Sequence, residues 1–367
     1  MFTIILVFLL LLSLLEFKLK NISLKNKIVF FMIVVISLIE GLRVETGTDW
    51  IPYERFFYNE YRYFEIGYTY LNKIVRNLTN NYIYFLFGIT FFKNIIIYRI
   101  LYKITNKLWI IPIFYGMTVA YIGANRQWIA IAFVCLIYKE VLLLNRKKIL
   151  YYLILGYLFH KSILLIIPLI ILDFFTMKQV INIKKYTLFL ILTLLLCFIL
   201  KNNLYNILNN IMYSFFDNKI IIEKLDFYTG RENRTIIEYY KGIFKYMILF
   251  ILNILLVLRF SKKNLNLKKG IFVINGFFYG ILVYILFSGQ IQTIVSRGSL
   301  YTLYIYIPLM FCYTYDNVLQ KIVKKIIFIL AVMYMLFTYN RMLDLNKELF
   351  VPYKSIFFNK NYKRNLY

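Results

Sequence analysis

A guanidinium stands inside an apolar part of the sequence, where few charged groups are expected. Arg126 follows Asn125 and precedes Gln127 in "YIGANRQWIAIAFVCL". An arginine keeps its proton in proteins, so it stays charged next to hydrocarbon, and its fork of donors matches the oxygens of a phosphate. The simpler interpretation is an arginine that extends from a helix end to the lipid headgroups. The position therefore indicates either a headgroup contact or an anion site at the membrane surface.

Two further arginines have comparable positions. Arg43 closes the second apolar segment, and Arg297 lies in "QTIVSRGSLY" at the tip of a later predicted hairpin. Arginines from three separate hairpins could converge on one pyrophosphate, or each could contact headgroups by itself. We predict Arg43, Arg126 and Arg297 as candidate phosphate ligands.

Groups that could transfer a proton occur in the same predicted external segments. Asp49 and Glu65 are each flanked by aromatic residues, which could stack on sugar rings, although an interfacial aromatic belt has the same composition. His160, the one histidine, interrupts two short apolar runs in "GYLFHKSILLIIPL", as a tight turn or as a break in a helix. A solvated turn residue is the alternative to a base or acid here. Asp49, Glu65 and His160 are the candidate catalytic residues.

The elements that must position these groups are membrane helices. Hydrophobic residues make up 61% of the 367 residues, the mean hydropathy is +0.68, and apolar runs of spanning length recur along the chain. We predict an all-α, polytopic integral membrane protein with about twelve transmembrane helices, some of them short. Residues 1–367 are expected to form a single integral membrane domain of the inner, or cytoplasmic, membrane. The first apolar run is expected to be retained, because its lysines follow it.

The charge distribution predicts the orientation. Basic residues number 44 against 17 acidic ones, a net charge of +27. In a soluble protein this excess would favour nucleic acid as a partner, but here the basic residues concentrate in short segments between apolar runs, as in cytoplasmic loops. Alternating spans then place both termini outside the cytoplasm. The long extracytoplasmic segments 42–81 and 201–241 are expected to form the catalytic and recognition face, and no nucleic acid is expected to bind.

Cofactor chemistry is disfavoured. Cys135, Cys197 and Cys312 fall within predicted spans without metal-ligand spacing, and there is one histidine. The sequence has neither a P-loop nor a glycine-rich dinucleotide fingerprint, which disfavours ATP-driven transport. We expect no metal and no other cofactor.

Six short motifs follow one another along the chain: "GLRVETGTDWIPYERFF", "FEIGYTYLNKIV", "ANRQWIAIAF", "FHKSILLIIPLI", "SRGSLYTLYIYIPL" and "VPYKSIFF". In this order they resemble the EpsG family of exopolysaccharide biosynthesis proteins, which is related in role to the Wzy-type polymerases of O-antigen and capsule. The resemblance covers nearly the whole chain, and segment 201–241 matches least well.

The resemblance implies a membrane glycosyltransferase that polymerises oligosaccharide repeat units linked to undecaprenyl pyrophosphate, on the outer face of the cytoplasmic membrane. A glycan would pass from one carrier to a terminal hydroxyl on another carrier-linked unit, with membrane lipids as further partners and a chain-length regulator and a flippase left open. The family pattern also falls on Gly47, Gly67 and Pro352. It also falls on Tyr53, Tyr68, Asn125, Gln127, Ser162 and Tyr353, to which we assign substrate binding as candidates.

Other functions stay open at the level of sequence. A ligase or an acyltransferase could act on the same glycan. A flippase or another transporter of lipid-linked sugar would need polar residues through the depth of the bilayer, for which Lys93 and Lys245 are the main charged candidates. A structural subunit of a synthesis complex would tolerate loss of the carboxylates named above.

Overall fold

The described part of the chain is helical. The structure, a computed structural model, describes residues 1–59, 64–177, 183–200, 203, 207, 236–260, 267–288, 292–359 and 361–362. These residues contain no strand, and their one β-type contact is an antiparallel bridge between Arg43 and Ser355. The prediction of an all-α protein is confirmed. Most of segment 201–241, predicted to form part of the recognition face, lies outside the described residues.

The helices belong to two compact units. The first unit comprises Met1–Leu164 and Phe328–Tyr367, and the second comprises Leu165–Ile327. The expectation that residues 1–367 form one domain stays a prediction.

The first unit carries most of the predicted site residues. Its helices are α1 (Phe2–Ser13), α2 (Ile22–Gly41), α3 (Trp50–Asn59), α4 (Ile66–Thr79), α5 (Tyr82–Thr105), α6 (Ile110–Thr118), α7 (Asn125–Leu142) and α8 (Arg146–Phe159). Helices α2, α5, α7 and α8 pack in that order, each against the next.

The second unit begins at Leu165, within a short 3-10 helix, Lys161–Ile166. Along the rest of the chain follow α9 (Ile167–Thr176), α10 (Ile183–Ile199), α11 (Ile236–Phe260), α12 (Leu267–Phe287), α13 (Gln292–Tyr301), α14 (Leu303–Asn317), α15 (Lys321–Leu345) and α16 (Lys347–Phe350). From Phe328 onwards, α15 belongs to the first unit.

Five helices in the described residues are long and apolar enough to cross a membrane, which supports a multi-pass membrane protein. They cover Ile22–Gly41, Tyr82–Thr105, Tyr239–Arg259, Lys268–Phe287 and Lys321–Leu345. Shorter apolar helices cover Phe2–Phe17, Ile110–Tyr121 and Lys185–Ile199. The count of about twelve spans and the extracytoplasmic position of both termini stay predictions.

Short polar turns interrupt the apolar helices where candidate site residues occur. Helix α8 ends at Phe159, His160 has an extended backbone (φ −159°, ψ 117°), and the 3-10 helix starts at Lys161. Helix α6 likewise continues into a 3-10 turn at Val119–Tyr121 before α7 begins. The motif around His160 is therefore a turn between two helices.

Two consecutive asparagines form the tight turn between α4 and α5. Asn80 ends α4 in the left-handed conformation with φ 43°, which asparagine tolerates better than most residues. The Asn81 side chain then accepts the backbone N–H of Ile83 at 2.9 Å and caps α5. This tight corner holds α4, with Glu65 at its start, close to the first turn of α5.

Candidate functional site

Two glycines bring the first predicted external segment against the start of α7. Gly47 has φ +103°, and a Cβ on it would lie 3.3 Å from Gly123 Cα. A Cβ on Gly123 would lie 2.5 Å from the backbone nitrogen of Thr48 and 2.8 Å from that of Asp49. Side chains larger than hydrogen are therefore excluded from Gly123, and the backbone of the predicted catalytic residue Asp49 is fixed beside the turn that starts α7.

Arg126 projects from the first turn of α7 onto the segment that precedes α4. Its Nη1 donates to the carboxylate of Glu65, and its Nε donates to the hydroxyl of Tyr53 at 3.2 Å. The guanidinium carbon also lies 4.0 Å from the ring centre of Phe64. The Arg126 side chain keeps 21% of its surface exposed and that of Glu65 keeps 14%. This partly open ion pair can be reached by a charged ligand.

An aromatic shell surrounds one side of this ion pair. The Phe64 ring centre lies 4.5 Å from that of Phe56 and 5.4 Å from that of Tyr53, and Tyr53 lies 5.4 Å from Tyr68. Apolar neighbours exclude water, so charge interactions in the shell are stronger than at an open surface. Burial raises the pKa of the Tyr53 hydroxyl, which stays protonated.

The predicted substrate-binding tyrosines are packed inside the protein. Tyr53 is 4% exposed and Tyr68 is fully buried, so both rings contact protein on their faces. Their binding role stays a prediction, because a sugar would have to displace these contacts before it could stack on either ring.

Arg43 connects three parts of the site. Its guanidinium is buried and donates to the carbonyl oxygens of Glu40, Thr46 and Ile122, with distances of 3.0 Å to the last two. Nη2 also donates to the Asn125 side-chain oxygen at 3.0 Å. Arg43 thereby ties the end of α2 to the following loop and to the start of α7. The Asn125 amide in turn donates to the hydroxyl of Tyr82 at 3.3 Å.

The C-terminal motif docks on the loop that follows Arg43. The backbone N–H of Val44 donates to the carbonyl of Lys354 at 2.9 Å, and the Lys354 ammonium lies 2.6 Å from the carboxylate of Glu45. The hydroxyl of Tyr353, a predicted substrate-binding residue, donates to the carbonyl of Ile39 at 2.7 Å. The first and the last of the six motifs are thus in direct contact.

His160 and Ser162, both predicted site residues, interact directly. The Ser162 hydroxyl lies 2.6 Å from His160 Nδ1, and the Ser162 backbone N–H donates to the same nitrogen at 3.3 Å. An Nδ1 that accepts a backbone proton leaves the imidazole proton on Nε2 in the neutral form. Helix α4 passes close to this turn, since a Cβ on Gly67 would lie 2.9 Å from the Leu158 carbonyl oxygen. The absence of a side chain at Gly67 thus has a packing reason.

The remaining predicted residues are Gln127 and Arg297. Gln127 is buried in the first turn of α7. Arg297 is half-buried on α13 in the second unit, whereas Arg43 and Arg126 belong to the first. The convergence of three arginines on one pyrophosphate stays a prediction.

Glu54 is a carboxylate near the site that the sequence interpretation did not select. It is half-buried on α3, next to Tyr53, and burial raises the pKa of its carboxyl, with Glu45 and Lys354 as charged neighbours. Its position one residue after a motif tyrosine was the available signal.

A buried polar network inside the apolar helices was also missed. Lys93 Nζ lies 2.7 Å from the Glu40 carboxylate, which also accepts from the Asn94 amide at 3.3 Å. Lys93 further lies 4.7 Å from the ring centre of Trp128. The signal was present, because "FFKNIII" places two polar residues in an apolar run. Lys93, the residue considered for transport, is thus neutralised by a partner within the protein.

The second unit contains its own buried polar cluster. The Asn275 amide donates to the Asp173 carboxylate at 2.7 Å and to the Thr176 hydroxyl at 2.8 Å, and Tyr186 donates to the Asn275 oxygen at 2.5 Å. These contacts join α9, α10 and α12. Within the described residues, no three His, Cys, Asp or Glu side chains come together as metal ligands.

Comparison with known proteins identifies one family. The model of the EpsG family matches residues 26–355, nearly the whole chain. No curated protein and no solved structure matches the chain. The matched range includes each of the predicted site residues, from Arg43 to Tyr353.

Proposed function

The chain belongs to the EpsG family of polysaccharide polymerase-like membrane proteins, and from this premise we propose that it polymerises oligosaccharide repeat units linked to undecaprenyl pyrophosphate. The reaction takes place on the outer face of the cytoplasmic membrane. The observation that carries the proposal is the partly exposed guanidinium of Arg126, held between Glu65, Tyr53 and Phe64 at the start of α7. This group has the charge and the donors that a pyrophosphate needs.

The proposed reaction is a glycosyl transfer. The bond between the anomeric carbon of the donor glycan and the pyrophosphate oxygen breaks, and the acceptor hydroxyl oxygen forms a bond to the same carbon. Negative charge develops on the leaving pyrophosphate, while the acceptor hydroxyl loses its proton. A fixed guanidinium stabilises that charge more in the transition state than in the ground state, which accelerates the reaction.

Arg126 is the proposed primary ligand of the leaving group. Its side chain keeps 21% of its surface exposed, which supports access of phosphate oxygens to the guanidinium. The N-terminal end of α7 adds a partial positive charge on the same side. Arg43 differs, because its donors are bound to protein oxygens. We assign to Arg43 the role of positioning Asn125 and the loop beside Arg126.

Glu65 is the base that the contacts favour. In the absence of substrate its carboxylate neutralises Arg126. A pyrophosphate carries more charge than one carboxylate and would compete for the same donors, which releases Glu65 to accept the proton of the acceptor hydroxyl. Asp49 and His160 are the other candidates for this role.

Arg297 is proposed as a second phosphate ligand from α13. Its place at the tip of a predicted hairpin and its half-buried side chain support this role. The proposed partners are the carrier-linked oligosaccharide as donor and acceptor, membrane lipids, a flippase that delivers the unit and a regulator of chain length. No cofactor takes part in the proposed step.

The test compares glycans from a strain that lacks the gene and is complemented at matched membrane abundance. Wild type should restore the polymer ladder, whereas Arg126→Ala should leave single repeat units on the outer face. Arg99→Ala is the matched control. Arg99 is an exposed arginine near the C-terminal end of α5, whereas Tyr82, which contacts Asn125, lies at the N-terminal end. An unchanged ladder with Arg126→Ala would refute the assignment of Arg126.

Other outcomes identify the alternative functions. Units that accumulate on the inner face in the deletion strain would indicate a flippase. Finished chains that fail to reach a different acceptor would indicate a ligase, and chains of normal length that lack one substituent would indicate an acyltransferase.

A further inference from the structure

A cavity of about 360 Å³ lies where α1 begins and α15 ends, away from the Arg126 side chain's contacts. Its volume is in the range of small-molecule binding sites. Both helix ends and the C-terminal motif that closes the cavity belong to the first unit. Its lining includes Phe2, Tyr339, Phe350, Tyr353, Phe358 and Asn359.

The floor of the cavity is a set of buried aromatic rings. The ring centre of Phe2 lies 5.8 Å from that of Phe350 and 5.2 Å from that of Tyr353, both in edge-to-face contact. Tyr339 is also buried, and its hydroxyl lies 2.9 Å from that of Thr3. These rings pack against one another, so the floor offers a pair of hydroxyls, and the exposed aromatic ring of the lining is Phe358 at the rim.

The rim carries an aromatic residue in a fixed position. Phe358 is 49% exposed, although its backbone N–H donates to the Ser355 hydroxyl at 3.1 Å and its carbonyl accepts from the Ser355 N–H at 2.9 Å. The next residue, Asn359, donates from its amide to the Tyr353 carbonyl at 2.7 Å. A rim that is already ordered loses little entropy when a ligand binds.

These surfaces fit a carbohydrate better than a lipid chain. A sugar ring has apolar C–H faces that stack on aromatic rings and hydroxyls that need hydrogen-bond partners. The hydroxyls of Thr3 and Tyr339 are such partners, and so is the side-chain oxygen of Asn359, which has no partner among the described residues. A hydrocarbon chain would offer no hydrogen-bond partner to the Asn359 oxygen or to the remaining capacity of the two hydroxyls. The cavity also lies at the start of α1 and the end of α15.

The cavity is connected to the proposed reaction site through the C-terminal motif. Tyr353 forms part of the floor and donates to Ile39 at the end of α2, while the next residue, Lys354, pairs with Glu45. The backbone N–H of Gly47 donates to the Leu349 carbonyl at 3.1 Å. Segment 349–355 thus borders the cavity on one side and supports residues 42–47 on the other.

We propose that this cavity is a second glycan subsite, which holds part of the growing chain away from the bond being formed. The inference rests on the proposed polymerase function and adds to it a place for the chain. An enzyme that keeps hold of its product between additions makes longer chains, so this subsite should control chain length.

The direct test measures binding of a lipid-free oligosaccharide, a few repeat units cut from the host's own polysaccharide, by saturation-transfer NMR on the protein in nanodiscs. Wild type should bind, and Phe358→Ala should weaken binding about tenfold, as loss of one aromatic contact predicts. Phe357→Ala is the matched control: its ring is 70% exposed, it precedes Phe358, and it does not line the cavity. Both rings are exposed, so both variants should fold.

The same variants are then tested for ladder length in the complemented strain. Phe358→Ala should shorten the chains several-fold while repeat units are still incorporated, and Phe357→Ala should match wild type. Absence of probe binding to wild type, or equal binding by both variants, would overturn the proposal. Displacement of the probe by undecaprenol would overturn it in favour of a lipid site.

The failure of this inference differs from the failure of the proposed function. The probe contains no phosphate, so its binding does not depend on Arg126 as a phosphate ligand. A normal ladder with Arg126→Ala would refute the proposed reaction site. Equal binding of the probe by Phe358→Ala and Phe357→Ala would refute the glycan subsite alone.

Discussion

The guanidinium of Arg126 and the carboxylate of Glu65, which are 61 positions apart in the sequence, form an ion pair at the start of α7. Each side chain neutralises the charge of the other, which lowers the free-energy cost of placing both in a partly apolar environment. In the proposed reaction, a phosphate that competes for the donors of Arg126 would also free Glu65. Substrate binding would then convert Glu65 from the ion-pair partner of Arg126 into a free base, which leads to the first prediction.

Glu65→Gln should lower kcat by about 100-fold or more, the usual contribution of a general base. KM for the lipid-linked donor should stay constant or fall, because the carboxylate no longer competes with phosphate for Arg126. The measurement is initial-rate kinetics with purified protein in lipid. A higher KM with unchanged kcat would instead mean that Glu65 only orients Arg126.

Gly123→Ala should disrupt the site, because the new Cβ would lie 2.5 Å from the backbone nitrogen of Thr48. We expect a loss of about 1–3 kcal/mol in stability, as for other overpacked positions, together with most of the polymer. Gly88→Ala is the matched control, since a Cβ on Gly88 meets nothing within 4 Å. In a helix, that change should be neutral or stabilising. Thermal unfolding in detergent and ladder gels give both readouts, and equal effects of the two substitutions would contradict this explanation.

Lys93→Met should reduce folded protein strongly, because it leaves the buried carboxylate of Glu40 without its 2.7 Å partner. Removal of one member of a buried pair costs about 3–5 kcal/mol. The double variant Glu40→Gln with Lys93→Met should recover much of that loss, since the amide still accepts from Asn94. Membrane abundance and thermal midpoints report the effect. Additive losses in the double variant would show that the two residues do not act as a pair.

Glu54→Gln should stabilise the protein slightly at neutral pH. Burial raises the pKa of Glu54 in the folded state. As the pH increases, the carboxyl therefore ionises at a lower pH in the unfolded state than in the folded state. Wild type then loses stability relative to the glutamine variant. Below about pH 3 the carboxyl is neutral in both states and the difference should vanish. The gain should be less than about 1 kcal/mol, because the group is half exposed. A destabilised variant at pH 7 would show that the ionised carboxylate makes a favourable contact, with Trp50, Arg55 and Lys354 as the candidates.

Sequence patterns could identify the class of fold and the residues of interest. The apolar runs predicted helices, and charge within them pointed to Arg126 at a helix end, which the structure places in the first turn of α7. The pairing of Arg126 with Glu65, and of Lys354 with Glu45, depends on how distant segments pack. No periodicity or local spacing contains that information.

Two further features were beyond reach of the sequence for physical reasons. The burial of Tyr68 inside an aromatic shell depends on Phe56 and Phe64, whose arrangement follows from the fold. Burial of a polar group in an apolar helix, as with Asp173 and Asn275, is recognisable as unusual, but its partner is set by helix packing.

The bridge between Arg43 and Ser355 also sets an order of events during biogenesis. The loop after Arg43 is synthesised early, yet its partner Lys354 is 308 positions away from Thr46 in the chain. Contacts of such separation form late. A nascent chain that has inserted its first helices carries Arg126 but lacks the segment that supports the neighbouring loop. The proposed site would therefore be complete only after segment 349–355 has been synthesised.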